Sequence, residues 1–330
     1  MASIITPTVE APAPLDPDRK NPELTDAARD GGPVPYIQRK IDVTFALGTG
    51  QFGEDGSNTV TLRGHRCYVT VSKAATGSPE TASVRIWGMS FSLMLQLSAY
   101  GVTHYAQRKN QVLIEAGDDV SGMTMVFGGV MQNAYFDGNS QPDVAFQVQA
   151  NSTDYVALKP APPISIAGSV DVATVMKGLA DQMGLTFENH GVDTKLRDVY
   201  YPGTAYQQAR RIAEHSGIGW SGIESGTMAI WPRGQGRDTG TIALFSPESG
   251  MKDYPTFNEM GVIVTSLFRP VKMMQQVAIK SSIFADPKDK AQTPRTYNYF
   301  VFTYTYTLES EAPNGPWFVT FQASNAPLYG

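Results

Sequence analysis

The stretch TASVRIWGMSFSLMLQLSAYG, Thr81 to Gly101, begins with strand periodicity and ends with helix periodicity. Ala82, Val84 and Ile86 alternate with Ser83, Arg85 and Trp87, the pattern of a half-buried strand. Gly88 breaks the alternation, and a run rich in Leu and Met follows. Ser90, Ser92, Gln96 and Ser98 interrupt that run, and it falls short of the ~18 apolar residues that a membrane helix needs. Phe91, Met94, Leu95 and Ser98 share one helical face, and Leu93 and Leu97 an adjoining one. The run therefore predicts a helix of one to two turns, started by Ser90 and stopped by Gly101, that caps the end of a β-barrel. Its apolar face is wider than one barrel end requires, so Met94 and Leu97 are candidates for a subunit interface.

On both sides of this stretch the signal is β. Ile41 to Leu47 alternates with period two, and Asn58 to Ala74 does so twice with Gly64 as a break. Gln111 to Gly117 is a short strand, and Gly122 to Gly138 a long one in which Gly128 and Gly129 allow a bulge or sharp coil. Pro142 to Ser152 alternates again, with Val144, Phe146, Val148 and Ala150 on one face. Short strands separated by Gly, Asn and Asp turns predict a small barrel or sandwich, taken as a first β-barrel domain over residues 36–158.

The proline-rich LKPAPPISIAGS, Leu158 to Ser169, reads as a hinge, after which the period changes. Val172, Val175, Met176, Leu179 and Met183 form a helical stripe, capped by Ser169 or Asp171 and stopped by Gly184. LTFENHG reads as a strand. A second helix follows in Tyr201 to Gly217, with Thr204 as N-cap and Ala205, Ala209, Ile212 and Ala213 inward. Ile218 to Pro232 reads as a hairpin turning at Ser225-Gly226. These elements predict a small α+β domain over residues 159–235. Strand signal then returns in TIALFS, GVIVTSLF, QQVAIKSSI, NYFVFTYTYTLES and WFVTFQA, a second β-barrel domain over residues 236–330. Phe300, Phe302, Tyr304 and Tyr306 are expected on one face, and Tyr304 and Tyr306 join the candidate interface residues, because aromatics at period two in a β-protein are most often core or interface. Residues 1–35, with Pro7, Pro12, Pro14, Pro17 and Pro22, read as an extended arm that lies against a neighbour and lacks the basic start and apolar core of a signal peptide. The fold class is thus mainly β with an α+β insertion.

Charged residues make up 17% of the 330-residue chain, below the roughly 25% of ordinary soluble chains, which fits large subunit interfaces. The net charge of −5 excludes a basic grip on nucleic acid. The single cysteine, Cys67, rules out an intrachain disulfide and reads as a small strand hydrophobe. His65, His104, His190 and His215 lie in unrelated contexts, and neither H-E-x-x-H, G-x-S-x-G nor a Walker pattern occurs. Gly48 to Gly56 has the spacing G-x-G-x-x-G but lies between strands with no helix after it, so it reads as a hairpin loop. Asp118-Asp119 lacks the spacing of an EF-hand and reads as a turn. These readings give no catalytic residues, no metal site and no cofactor.

In the first β region, ASVRIWGMS leads into the short helix. A strand ending in Ala116-Gly117 follows, then a strand with Phe127-Gly128-Gly129-Val130 at its centre, then PDVAFQVQA. This order of parts, with Gly88-Met89 and Gly101 at its steps, resembles the baseplate hub proteins of contractile-tailed phages, the tail hub family shared with the base of type VI secretion spikes. The resemblance continues through VDVATVMKGLADQMGLTFENHGV, YYPGTAYQQARRIAEHSGIGW, GTMAIWPRG, LFSPESGMKDYPTFNEMGVIVTSLFRP and GPWFVTFQAS. It implies a homotrimer in which each chain supplies two related β-barrels. The resulting ring joins a hexameric tail tube protein to a trimeric central spike protein and leaves a channel through which DNA passes. It also implies a place in the virion baseplate, beside neighbouring baseplate proteins, after assembly in the host cytoplasm. Two other readings stand beside it: a cell-wall glycan-binding module built on Trp220 and Trp231, and a tail-associated hydrolase.

Overall fold

A computed structural model describes residues 37–52, 56–98, 110–154, 161–285, 288 and 291–325. The arm of residues 1–35 and the helix stop at Gly101 lie outside them. In the first β region the alternating segments fold as β1 (Arg39–Ala46), β2 (Thr59–Leu62), β3 (Cys67–Lys73) and β4 (Glu80–Trp87). Helix α1 (Phe91–Leu97) follows, then β5 (Gln111–Asp118), β6 (Gly122–Asp137) and β7 (Ala145–Asn151). Every second residue of β3 and β4, and of β1 from Ile41 on, is buried, because successive side chains point to opposite faces and one face meets the core. The Ser90 Oγ accepts a hydrogen bond from the Leu93 N–H, which caps α1 as its sequence predicts.

The middle region comprises β8 (Ile164–Asp171), α2 (Val172–Met183), β9 (Thr186–Asn189), β10 (Lys195–Tyr201), α3 (Ala205–Ser216), β11 (Gly219–Trp220) and β12 (Thr227–Trp231). Asp171 caps α2, Thr204 caps α3 in a capping box, and Gly184 and Gly217 end the two helices in the left-handed conformation. The helices pack on these strands around Met176, Leu179, Ala209, Ile212 and Met228. β8 begins inside the segment expected as a hinge and runs two residues past it, and β10 has no counterpart among the expected strands. Neither has a clean apolar face: β8 carries Gly168 and Ser169, and a register shift interrupts β10 at Asp198, which has a φ of 49°.

The last region contains β13 (Ala243–Phe245), β14 (Thr256–Asn258), β15 (Gly261–Leu267), β16 (Gln276–Ser281), β17 (Arg295–Ser310) and β18 (Trp317–Ser324). The two β regions were expected as separate barrels. They form instead one 13-stranded sheet in the order β14-β15-β18-β17-β3-β4-β7-β6-β5-β1-β2, with β16 on β17 and β13 on β16. Among the described residues no ladder closes it into a barrel. The regions fuse because the outer edge of β3 is taken by the second half of β17, with Tyr304 opposite Lys73 and Ser310 opposite Cys67.

The strand order repeats within that sheet. β3-β4-β7-β6-β5-β1 and β14-β15-β18-β17-β16-β13 follow the same path in the same chain order. At the centre of each is a 16-residue strand, β6 or β17, whose first half pairs with the strand before it and whose second half pairs with the strand after it. Val130 stands opposite both Gln111 and Asn151; Phe300 stands opposite both Gln276 and Ser324. One residue on, the Met131 N–H donates to the Asn110 carbonyl at 2.9 Å and the Val301 N–H to the Gln275 carbonyl at 3.0 Å. At the next residue, Gln132 or Phe302, the register shifts in both. The copies differ at one edge: β1 runs antiparallel to β5, whereas β13 runs parallel to β16.

The shift at Phe302 corrects the expected aromatic face. A one-residue bulge moves all following side chains to the other side of a strand. Phe302 therefore joins Trp231, Met273 and Met274, while Tyr304 and Tyr306 enter the main core.

Candidate functional site

The three regions meet at a buried ionic junction. Lys73 ends β3 and stands opposite Glu80, which begins β4. The β11–β12 hairpin turns toward them at Ser225 and Gly226, both with positive φ, as the sequence predicts for a tight turn. The Ser225 N–H donates to Glu80 Oε2 at 2.8 Å, and Lys73 Nζ donates to the Ile223 carbonyl at 3.0 Å. From β17, the Tyr304 hydroxyl lies 2.8 Å from Glu80 Oε1 and 3.0 Å from Glu224 Oε1. Arg237 completes the junction with donations to Glu224 Oε2 at 2.5 Å and, through two nitrogens, to Glu188 Oε2 at 2.7 and 3.0 Å. Lys272 and His190 also reach Glu188.

Burial sets the charge states here. It pushes Glu80 up to about 7, with the neighbouring Glu224 acting in the same direction against Lys73, the Ser225 N–H and Tyr304. Burial also lowers Lys73. At Glu188 burial acts upward, but Arg237, Lys272 and His190 together outweigh it and hold the carboxyl at about 2. Lys73, Glu80, Glu224 and Arg237 are at most 4% exposed, so the centre of the junction is sealed from solvent, while its Glu188–Lys272 end reaches the surface. Its chemistry is that of a lock between three parts of the chain. Arg237 was expected only as part of a polar connector. Nothing local marks it, because its partners lie 13 and 49 residues away.

A second feature covers the side of the sheet away from the core. There β3 presents Thr70 and Ser72, β4 Thr81 and Ser83, β7 Gln147 and Gln149, β17 Thr303, Thr305 and Thr307, and β18 Thr320 and Gln322; Tyr68, Arg85, Glu309 and Phe318 lie on the same side. Cross-strand hydroxyls meet at 3.1 Å between Ser72 and Thr305 and between Thr265 and Thr320. Thr70, Ser72, Thr81, Ser83, Gln132 and Gln149 line one uncharged depression together with Ala82 and Ala150. The surface runs unbroken across the β3–β17 ladder, from one repeat into the other.

A sheet built twice, locked by a middle α+β region and clad on one side in hydroxyls and amides, has a match among families. The model of the family described as baseplate hub gp41 matches residues 40–322. The chain belongs to this family. No curated protein matches it in sequence. In fold the hub chain is similar to the tail protein from Neisseria meningitidis MC58, with a TM-score of 0.53, 10% identity, and coverage of 86% of this chain and 96% of that one. It is also similar to the 43 kDa tail protein of prophage MuSo2 from Shewanella oneidensis (TM-score 0.50, 7% identity, 86% and 97% covered). A chain of the Francisella PdpA-VgrG complex in its half-lidded form is a third (TM-score 0.51, 9% identity), of which this chain spans 61% while 92% of its own length is covered.

The hub chain places its four candidate interface residues inside itself. Met94, Leu97, Tyr304 and Tyr306 are 6%, 0%, 2% and 3% exposed. Met94 and Leu97 turn into the main core beneath α1; the Tyr306 hydroxyl donates to the Val271 carbonyl at 2.7 Å. The side of α1 left outward is Phe91 and Leu95, 58% and 46% exposed. Trp220 and Trp231 are buried at 8% and 3%, in the core of the middle region and beside Met273 and Met274. Cys67 is fully buried, which pushes its thiol up to about 12. Asp118 accepts from the Val120 and Ser121 N–H groups, a turn. Among the described residues no cluster of His, Cys, Asp and Glu could hold a metal, and no helix is long and apolar enough to cross a membrane.

Proposed function

We propose that this hub-family chain forms a homotrimeric ring in the baseplate of a contractile-tailed phage, joining a hexameric tail tube to a trimeric spike and leaving a channel for DNA. One observation carries the reading: the sheet runs through both strand repeats and keeps a face of Thr, Ser and Gln across the join, with the charges of Arg85 and Glu309 set together at one end of it. Three chains with two repeats each present six similar units, which matches a sixfold partner while the chains themselves keep threefold symmetry. A channel must let a polyanion slide. A basic wall would hold DNA through its phosphates, and a hydroxyl and amide wall offers no such grip. The repeated register, down to the bulges at Gln132 and Phe302, supports the equivalence of the six units.

The role is structural, and the closed ionic junction serves it by fixing the two repeats relative to each other. Native mass spectrometry of the purified chain tests the reading. The expected result is a species of three chains; a monomer at every concentration, with tube and spike proteins present, overturns it.

A further inference from the structure

Tyr304 carries one hydroxyl hydrogen and stands between two carboxyls. Its oxygen lies 2.8 Å from Glu80 Oε1 and 3.0 Å from Glu224 Oε1. One hydrogen serves one of these contacts; the other is a hydrogen bond only when a carboxyl carries a proton and donates it. Glu224 is the ionised member, because the Met273 N–H donates to its Oε1 at 2.7 Å and Arg237 to its Oε2. Glu80 is therefore the protonated one. Its Oε2 accepts from the Ser225 N–H, and its Oε1 faces the tyrosine. Lys73, opposite Glu80, donates to the Ser78 and Ile223 carbonyls at 2.7 and 3.0 Å. The order is thus Glu80 O–H to Tyr304, then Tyr304 O–H to Glu224. These three groups belong to β4, β17 and the β11–β12 hairpin, so one proton ties three parts of the chain together.

We propose that this proton is a latch: while it is present the β11–β12 hairpin is closed onto the sheet, and its loss to solvent lets the hairpin tip lift away from β3, β4 and β17. The latch lies within one chain and does not depend on the ring. Without the proton, two carboxylates share one hydroxyl hydrogen in a space sealed from water, where like charges repel most strongly. Facing Glu80 are Lys73 from β3, Glu224 from the hairpin, Tyr304 and Tyr306 from β17 and the Ser152 hydroxyl from β7, with Arg237 behind Glu224. Glu224 is the member that can move outward, because its partner Arg237 continues to Glu188, which Lys272 reaches at the surface. The rest of the middle region stays anchored: the Tyr206 hydroxyl donates to the Gly77 carbonyl at 2.8 Å, and Trp231 packs with Met273, Met274 and Phe302. The opening is therefore confined to the hairpin tip and its contact with the Met273 backbone. Burial, which pushes Glu80 up to about 7, sets the change near neutral pH.

Hydrogen–deuterium exchange of the full chain in a pH series, corrected for intrinsic rate, tests the latch. The reporters are the amides of Ser225 and Met273, which donate to Glu80 and Glu224. With Glu80 at about 7 in the closed chain and 4.5 in the open one, their exchange should rise about tenfold between pH 6 and pH 8, while the β3–β4 ladder keeps its protection. Glu80→Gln keeps a donor toward Tyr304 and an acceptor for Ser225 but cannot ionise, so both reporters should stay protected across the series. Flat exchange in the parent overturns the latch, and so does an equal rise in Glu80→Gln. A rise shared by the β3–β4 ladder overturns it too, because the whole chain then opens and not the hairpin. Should Glu80→Gln fail to fold, the parent series alone decides between the local rise and those contrary results.

Discussion

The two strand repeats share a path and a register but not a surface. In the first, β3 has seven residues whose burial alternates strictly; in the second, the equivalent β14 has three residues, all exposed. The difference does not come from hydrophobicity, since Phe257 is at least as apolar as Val71. It comes from the neighbour. β3 lies between β4 and β17, and among the described residues β14 pairs with β15 alone. A strand's burial is a property of both its edges and both its faces, and among the described residues the same element is seen with two strand partners and with one.

The largest effect should come from a charge placed at the two equivalent positions. Val71→Asp buries an unpaired carboxylate and should unfold the chain or cost several kcal/mol. Phe257→Asp should leave monomer stability within about 0.5 kcal/mol. Denaturant midpoints of the two variants measure the contrast, and similar losses in both would contradict it.

Next in size is the lock that holds the repeats together. Arg237→Met leaves Glu224 buried without its partner and should cost about 3–5 kcal/mol. The same junction predicts a pH dependence. Glu80, at about 7 folded against 4.5 unfolded, keeps its proton in the folded chain where the unfolded chain has lost it. Its contribution therefore makes stability fall as pH rises from 4.5 to about 7 and stay level above. Glu188 runs the other way: its contribution is complete above 4.5 and is lost as pH falls toward 2. Glu80→Gln should remove the first slope in a pH series of unfolding midpoints and leave the second.

The smallest effect on stability, with a clear effect on binding, should follow from adding cations to the hydroxyl and amide face. Gln149→Lys with Thr305→Lys places cations on both repeats at exposed and half-exposed sites. Stability should change little, while the assembled protein should gain salt-sensitive affinity for duplex DNA in a filter-binding assay. No gain in affinity would argue that this face lies away from the channel.

Much of the fold is legible in the sequence because strands with one buried face write their alternation into it: β1, β3, β4, β5, β15 and β18 lie where the period-two runs predict. So do the two longer helices, whose caps at Asp171, Thr204, Gly184 and Gly217 are local signals. β8 and β10 are not legible, since they pair with each other around polar residues and a bulge. The phase change at Phe302 is also hidden, because the register of β17 is set by β18 and not by its own pattern. The junction is the least legible part. Glu80, Glu188, Glu224 and Arg237 come from four separate segments, and each alone reads as an ordinary surface charge. The face that α1 buries is not legible either: its periodicity groups Met94 with Phe91 and Leu95, whereas the core takes Met94 and Leu97 and leaves Phe91 and Leu95 outside.

Class averages of the purified protein in the electron microscope test the central claim most directly. The account predicts a closed threefold ring of six similar lobes around a central hole. A twofold dimer, an open filament or a solid particle would contradict it.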